Sequence, residues 1–248
     1  MSQAEAIYAL WFREFKVFTR EKSRIITSIF TPLLWIFVFG GGLGSAVNIG
    51  GINYQIFIYP GIVAMSVLFS SVFYGVYIIW DRKIDILKEV LVAPLSRTSI
   101  FVGKVLGGCT DSMIQAFIML LISFAVGVYL SPSAFLLAIL ILFLLSLSLV
   151  STGLIIGSLM ESPEGFNMIV SFLVFPLFFF SGALYPLDKL PLWLSAITYI
   201  DPVTYGVDGL RTVTIGISQF PLYFDVGVLG MFAAVMFTVG TRAFERMK

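Results

Sequence analysis

Histidine and cysteine carry out much of the nucleophilic, acid–base and metal chemistry of proteins, and this chain has almost none of either. The sequence contains no histidine and a single cysteine, Cys109. A histidine general base, a His/Cys metal cluster and a disulfide within the chain are therefore excluded. The phosphate-binding pattern Gly-x-x-x-x-Gly-Lys-Ser/Thr is also missing from the sequence. We therefore expect a protein that is not an enzyme and that itself binds no metal, nucleotide or other cofactor.

The composition places the chain in a membrane. Of its 248 residues, 59% are apolar and only 12% are charged, and the mean hydropathy of +1.02 lies far above that of an average soluble domain. The net charge of +1 gives no basic excess for a nucleic-acid partner. We therefore predict a single all-α polytopic membrane domain over residues 1–248, whose surroundings are the lipid bilayer.

Two long stretches without charged residues contain most of the predicted spans. Ile25–Trp80 and Ser112–Met160 are each long enough for two helices, because a hydrocarbon core about 30 Å thick takes about 20 residues per helix. The cluster Gly40-Gly41-Gly42-Leu43-Gly44 and the run Ser131-Pro132-Ser133 mark the turns that divide them. The six predicted transmembrane helices are about Ile25–Leu43, Ile56–Trp80, Val105–Leu130, Ala134–Met160, Phe166–Leu184 and Pro221–Thr241.

The basic residues predict the orientation of these six helices. Thirteen of the 15 lysines and arginines fall before the first span, between the second and third, or after the sixth, and only Lys189 and Arg211 fall in the opposite loops. Because cytoplasmic loops carry an excess of lysine and arginine, both termini are predicted to be cytoplasmic. Asp225, in the opening turn of the sixth helix, is expected to reach the membrane interface.

Residues 1–24 are predicted to form an amphipathic helix on the membrane surface. One face would carry Ile7, Trp11, Phe15 and Phe18, and the opposite face Arg13, Lys16 and Arg20. This spacing is typical of a helix that lies in the interface plane. A membrane-proximal extension with no functional role is the alternative.

The longest cytoplasmic loop, residues 81–98, contains a second amphipathic stretch. Ile84, Leu87 and Leu91 stand at positions i, i+3 and i+7, so a short helix here would have one apolar face, and Pro94 would end it. We interpret this stretch as a docking surface for a partner. The alternative is a helix that folds back against the bundle or the lipid headgroups.

Residues 186–220, between the fifth and sixth spans, are predicted to enter the outer leaflet without crossing it. Leu192–Ile200 is apolar, but nine residues of helix measure only about 13 Å. Asp201 followed by Pro202 is typical of a cap and first position of a second short helix. Two surface helices that merely cover the bundle are the alternative.

The predicted spans are almost empty of the ionisable groups that ion-coupled carriers use. Asp111 is the exception, and it follows Lys104 by only seven residues, so it should lie near the cytoplasmic interface as a packing group. Because the sequence also lacks the phosphate-binding pattern Gly-x-x-x-x-Gly-Lys-Ser/Thr, the ATPase of such a protein, if it is a pump, must lie on another chain.

Three stretches in register carry a resemblance to a known family. They are Leu87–Arg97 on the cytoplasmic loop, Phe175–Pro186 followed by Leu190-Pro191, and Asp201–Gly206 followed by Gly209–Arg211. Together they resemble the membrane subunits of type-2 ABC exporters, which include drug-resistance, Nod-factor and polysaccharide-export permeases. The order and spacing of the spans resemble that family along nearly the whole chain.

The resemblance implies how the chain is assembled and which residues matter. It implies a dimer with a second copy or a paralogous permease, two separate ATPase subunits that bind ATP and Mg, and re-entrant outer helices. The residues expected to couple to the ATPase are Ile84, Asp85, Leu87, Lys88, Glu89, Leu91, Pro94 and Arg97. Those expected in the outer re-entrant segment are Tyr185, Pro186, Trp193, Asp201, Pro202, Gly209 and Arg211. Many family members carry glutamate where Lys88 stands, which leaves open whether Lys88 or Glu89 faces the ATPase.

The implied function is export across the plasma (inner) membrane of a bacterium or archaeon. The expected cargo is lipophilic, lipid-like or glycan-linked, as in multidrug efflux, with a slight preference for a drug or lipid-like molecule over a polysaccharide. A secondary, ion-coupled multidrug transporter is the alternative, and a membrane scaffold without transport activity is a third reading.

Overall fold

The computed structural model describes residues 3–44, 46–49, 51–86, 95–188 and 190–246. Within this part of the chain, six helices are long and apolar enough to cross a membrane. In chain order these spans 1 to 6 are Lys22–Gly44, Tyr54–Lys83, Arg97–Leu121, Pro132–Leu159, Pro163–Phe180 and Leu222–Glu245. The prediction of an all-α polytopic fold with six spans is confirmed.

Several shorter elements connect the spans. They are the N-terminal helix Gln3–Arg20, an antiparallel pair of two-residue strands Asn48–Ile49 and Ile52–Asn53, a helical turn Ser123–Val126, the first short helix Leu192–Ile200 and the second short helix Pro202–Ile215. Span 1 contains a π-helical stretch, Trp35–Gly40, and span 2 is interrupted between Phe73 and Val76.

Span 3 differs most from its predicted limits of Val105–Leu130. It begins at Arg97, because the Ser96 hydroxyl accepts a hydrogen bond from the Ser99 backbone N–H at 3.0 Å and caps the first turn. It ends at Leu121, and the helical turn after it closes at Gly127, whose φ of 84° is left-handed. Span 5 ends at Phe180 instead of Leu184, because Gly182 adopts a φ of 72° shortly after it. The remaining limits agree to within four residues.

The core lies where the backbones of spans 2 and 4 approach closely. A Cβ atom on Gly75 would stand 2.0 Å from the Gly153 carbonyl oxygen, and one on Gly153 would stand 2.2 Å from that of Val72. A Cβ on Gly157 would stand 2.2 Å from the Gly75 oxygen. Small residues at these positions therefore let two spans pack at backbone distance, which is how helices associate where lipid removes the hydrophobic driving force.

The spans alternate in direction and so give the bundle two distinct ends. We call one the basic end: it holds the N-terminal helix, the junction of spans 2 and 3, and the last turns of spans 4 and 6. The other is the short-helix end, which holds the strand pair and the two short helices. The two ends place charge in different ways.

Candidate coupling and cargo sites

The predicted coupling segment, residues 84–97, is described only at its flanks. Leu87, Lys88, Glu89, Leu91 and Pro94 lie outside the described residues. On the near flank, the Ile84 side chain is 58% exposed, and Asp85 is exposed with a φ of 60°. On the far flank, Arg97 is the first residue of span 3, and its Nη1 is buried without a hydrogen-bond partner among the described residues.

Near these flanks lies a cluster of four charged side chains, of which Glu14, Asp81 and Lys104 are buried and Arg13 is half-buried. Lys104 of span 3 is 2% exposed and reaches Glu14 of the N-terminal helix, with 2.8 Å between Nζ and Oε1. Lys104 also pairs with Asp81 at the end of span 2. Arg13 donates to the Asp81 carboxylate and, at 2.9 Å, to Glu14, and the Tyr74 hydroxyl donates to Glu14 at 2.9 Å. Two positive and two negative groups thus balance, which buried charges require.

This cluster corrects the interpretation of the N-terminal helix. Its buried face consists of Ala6, Leu10, Glu14 and Phe18, whereas the predicted face was Ile7, Trp11, Phe15 and Phe18. The helix packs on span 3, where a Cβ on Gly103 would stand 2.7 Å from that of Leu10. Arg13, predicted on the polar face, turns inward, and its hydrogen bond to Asp81 raises its pKa above the ordinary arginine value. Glu14 and Lys104 were not predicted from the sequence. The signal that could have indicated them is a charged residue on the apolar face of a helix.

The same end of the bundle carries a second ionic link, from span 1 to span 3. Arg24 pairs with Asp111, which is 2% exposed, and donates to the Tyr77 hydroxyl at 2.6 Å. Gln115, one turn along span 3, donates to Asp111 at 3.0 Å. Asp111 was expected to be a packing or interfacial group, and the structure buries it as the partner of Arg24, in agreement with the packing alternative.

Arg24 also lies at the edge of a cavity of about 640 Å³ between spans 1, 2 and 5. The apolar lining consists of Pro32, Trp35, Met65, Phe69, Phe73, Val76, Phe175, Phe178 and Phe179. The polar lining consists of Arg24, Thr27, Ser28, Thr31, Ser66, Ser70, Tyr77 and Gln115. The Gln115 Oε1 atom is buried and has no hydrogen-bond partner among the described residues. The cavity therefore suits an amphiphile with an apolar body and a hydrogen-bonding head.

The predicted outer residues fall into an exposed and a buried group at the short-helix end. Trp193 is 64% exposed on the first short helix. Pro202 is the first residue of the second short helix, and the Asp201 carboxylate accepts a hydrogen bond from the Val203 N–H at 2.9 Å, as a cap does. Tyr185 donates to the Phe179 carbonyl at 2.8 Å.

Arg211 is the buried member of that set. It is 3% exposed, donates to the Gly182 carbonyl at 2.9 Å and lies over the Phe57 ring at 4.3 Å. Burial lowers the pKa of Arg211 to about 10. It shares a small pocket of about 290 Å³ with Pro186 and Asp208.

Three aspartates at this end are buried with few partners. Asp208 accepts hydrogen bonds from the backbone N–H groups of Gln219 and Phe220, and burial raises the pKa of its carboxyl group. Burial also raises the pKa of Asp201 to about 8. Asp225 is fully buried, and neither carboxyl oxygen has a partner among the described residues. The expectation that Asp225 reaches the interface is therefore wrong, because the second short helix covers it: a Cβ on Gly209 would stand 3.5 Å from the Asp225 Cβ.

Comparison with known proteins agrees with this architecture. Residues 5–215 match the ABC-2 type transporter family. The transport permease Ycf38 of Cyanophora paradoxa is 31% identical over 84% of this chain and 73% of its own length. The inner membrane transport permease YadH of Escherichia coli K12 is 28% identical over 94% and 92%, and nodulation protein J of Rhizobium leguminosarum bv. viciae is 24% identical over 96% and 93%. The chain is therefore a permease of the ABC-2 type transporter family.

Proposed function

We propose that this chain is the membrane subunit of an ATP-driven exporter of lipophilic, lipid-like or glycan-linked cargo. The observation that carries the proposal is the cavity between spans 1, 2 and 5, whose apolar wall ends at the Arg24–Asp111 pair. An amphiphile would place its apolar body against the aromatic wall and its polar head near Arg24 and the Gln115 oxygen, which has no hydrogen-bond partner within the described ranges. Drug or lipid-like cargo fits this lining better than a bare polysaccharide.

The charged cluster would transmit movement of an ATPase to the helices that line the cavity. Asp81 and Lys104 lie on the two flanks of residues 84–97 and pair with each other. Arg13 joins Asp81 to the N-terminal helix, and Glu14 joins Lys104 to the same helix. The Ser99 hydroxyl donates to Gln3 at 2.6 Å, which adds a second link between span 3 and that helix. A push on the coupling segment would thus move these elements together and reach span 1 through Arg24 and Asp111.

The proposed assembly follows from the same features. Two ATPase subunits, which bind ATP and Mg, would dock at residues 84–97, and a second copy or a paralogous permease would close the cavity opposite spans 1 and 5. The distribution of lysine and arginine supports cytoplasmic termini. The inner membrane of a bacterium or archaeon is the proposed location, supported by the likeness to YadH. The first short helix, with Leu192 91% exposed, would dip into the outer leaflet.

The coupling role is tested by placing charge on the apolar face of the segment. Leu87→Asp combined with Leu91→Asp should abolish co-purification of the ATPase subunit and cargo-stimulated ATP hydrolysis, because the docking surface would become polar. Leu192→Asp combined with Ile200→Asp is the matched control, since it places the same two charges on exposed apolar sites at the short-helix end. Unchanged ATPase binding and hydrolysis in the double variant would refute the assignment.

A secondary transporter is the competing function, and one observation favours it. Asp225 is a fully buried carboxyl group within a span, and such groups serve proton coupling in many carriers. If this function is correct, a proton gradient alone should drive uptake into liposomes, and Asp225→Asn should abolish that uptake. If the exporter proposal is correct, neither the unmodified chain nor Asp225→Asn should show gradient-driven uptake.

A further inference from the structure

A groove of about 900 Å³ lies at the basic end between the last turns of spans 4 and 6. Three arginines line it, namely Arg82 from the end of span 2 and Arg242 and Arg246 from the end of span 6. Among the described residues, the lining holds one carboxylate, Glu161. Three positive groups against one negative group give the groove an electrostatic preference for an anion.

Arg82 is held rigidly at the edge of this groove. Its Nη1 donates to the Met160 carbonyl at 2.9 Å, and its Nη2 donates to the Ser158 carbonyl at 3.0 Å. These carbonyls lie at the end of span 4, where the helix supplies no N–H partners. The arginine thus closes the helix end and keeps its guanidinium group beside the groove.

Arg242 and Arg246 stand one helical turn apart on a single face of span 6. Among the described residues, neither forms an ion pair with a carboxylate within 4.0 Å. Their positive charge is therefore available to a ligand. Guanidinium groups bind phosphate oxygens through paired hydrogen bonds, which makes arginine the preferred side chain for this contact.

The part of the groove that lies toward the middle of the bundle is apolar. Ile155 and Leu159 of span 4 face Val239 of span 6 there. Leu159 is 69% exposed and Val239 is 43% exposed. Val239 precedes Arg242 by about one turn, so an apolar wall continues directly from the cationic edge.

We propose that this groove binds an anionic phospholipid, with the headgroup phosphate between the three arginines and an acyl chain along Leu159 and Val239. Basic pockets between transmembrane helices bind anionic headgroups in this way. With the orientation proposed above, the lipid belongs to the inner leaflet. It would hold span 6 against span 4 and against Arg82, only two residues before the coupling segment begins.

The test is lipid binding by the delipidated full chain, measured by native mass spectrometry during titration with phosphatidylglycerol or phosphatidylcholine. Arg242→Gln combined with Arg246→Gln should weaken phosphatidylglycerol binding on the order of tenfold or more, with phosphatidylcholine binding unchanged. Lys16→Gln combined with Arg20→Gln is the matched control, because it removes two exposed charges from the N-terminal helix at the same end. Phosphatidylglycerol binding should be retained in this control.

Two further measurements distinguish a lipid headgroup from a soluble anion and control for misfolding. Leu159→Glu, at an exposed site, should weaken phosphatidylglycerol binding without removing an arginine. Millimolar inorganic phosphate should fail to displace the lipid, and displacement would instead assign the groove to a soluble anion. Equal phosphatidylglycerol binding by both double variants would overturn the proposal. These measurements report lipid binding and do not depend on transport. A failure of this proposal can therefore be distinguished from a failure of the proposed exporter function.

Discussion

The two ends of the bundle bury charge in opposite ways. At the basic end, Lys104 and Arg13 lie between Glu14 and Asp81, so positive and negative side chains alternate. At the short-helix end, Asp201 and Asp225 keep oxygens that have no hydrogen-bond partner in the described part of the chain, and Arg211 bonds to a backbone carbonyl. The charges of the cluster at the basic end balance, whereas the short-helix end, within the described residues, buries more carboxyl groups than cations.

The difference indicates which end must stay rigid and which tolerates a change of charge. A balanced cluster loses stability when one member is removed, because the remaining charge is left uncompensated in a low dielectric. An unpaired carboxyl group is already unfavourable when ionised. Neutral substitutions should therefore damage the basic end and spare the short-helix end.

The largest effect is expected from Lys104→Met. Removing the cation would leave Glu14 and Asp81 with only Arg13, and the free energy of unfolding should fall by about 3–5 kcal/mol. Thermal unfolding in detergent, followed by tryptophan fluorescence, would measure it. Lys16→Met, at an exposed site of the N-terminal helix, should change little. If combining Lys104→Met with Glu14→Gln restores no stability, charge balance is not the reason for the loss.

A pH-dependent effect is expected from Asp201→Asn. Because the pKa of Asp201 is raised to about 8, the folded chain holds a proton at this carboxyl between about pH 4 and pH 8, where the unfolded chain does not. The stability contributed by Asp201 should therefore fall as pH rises through this window. Asparagine keeps the cap to Val203 but cannot ionise, so the unfolding midpoint should depend less on pH in the variant. An unchanged pH dependence would show that Asp201 is not buried as described.

The smallest effect on stability is expected from Asp225→Asn. The carboxyl group has no hydrogen-bond partner to lose among the residues that the structure describes, so the unfolding free energy should change by less than about 1 kcal/mol or should increase. The same thermal measurement at neutral pH gives the answer. A loss as large as that of Lys104→Met would mean that Asp225 has a partner and would remove the contrast between the ends.

The sequence predicted the helical elements well and the pairing of charges poorly. Long uncharged stretches and breaks such as Ser131-Pro132 determine spans locally, and Asp201-Pro202 correctly placed a helix start. The Lys104–Glu14 pair joins residues 90 positions apart, and no local period encodes such a contact. Asp225 was misplaced for the same reason, since its burial depends on how the second short helix packs over span 6.

ATP-driven export is tested most directly by transport in proteoliposomes that contain the permease with or without its ATPase subunit. A fluorescent phospholipid analogue serves as the probe, and dithionite quenching reports the leaflet in which it lies. We expect translocation that requires the ATPase subunit and ATP together and that survives ionophores. Translocation driven by a proton or sodium gradient in the absence of the ATPase subunit would contradict it.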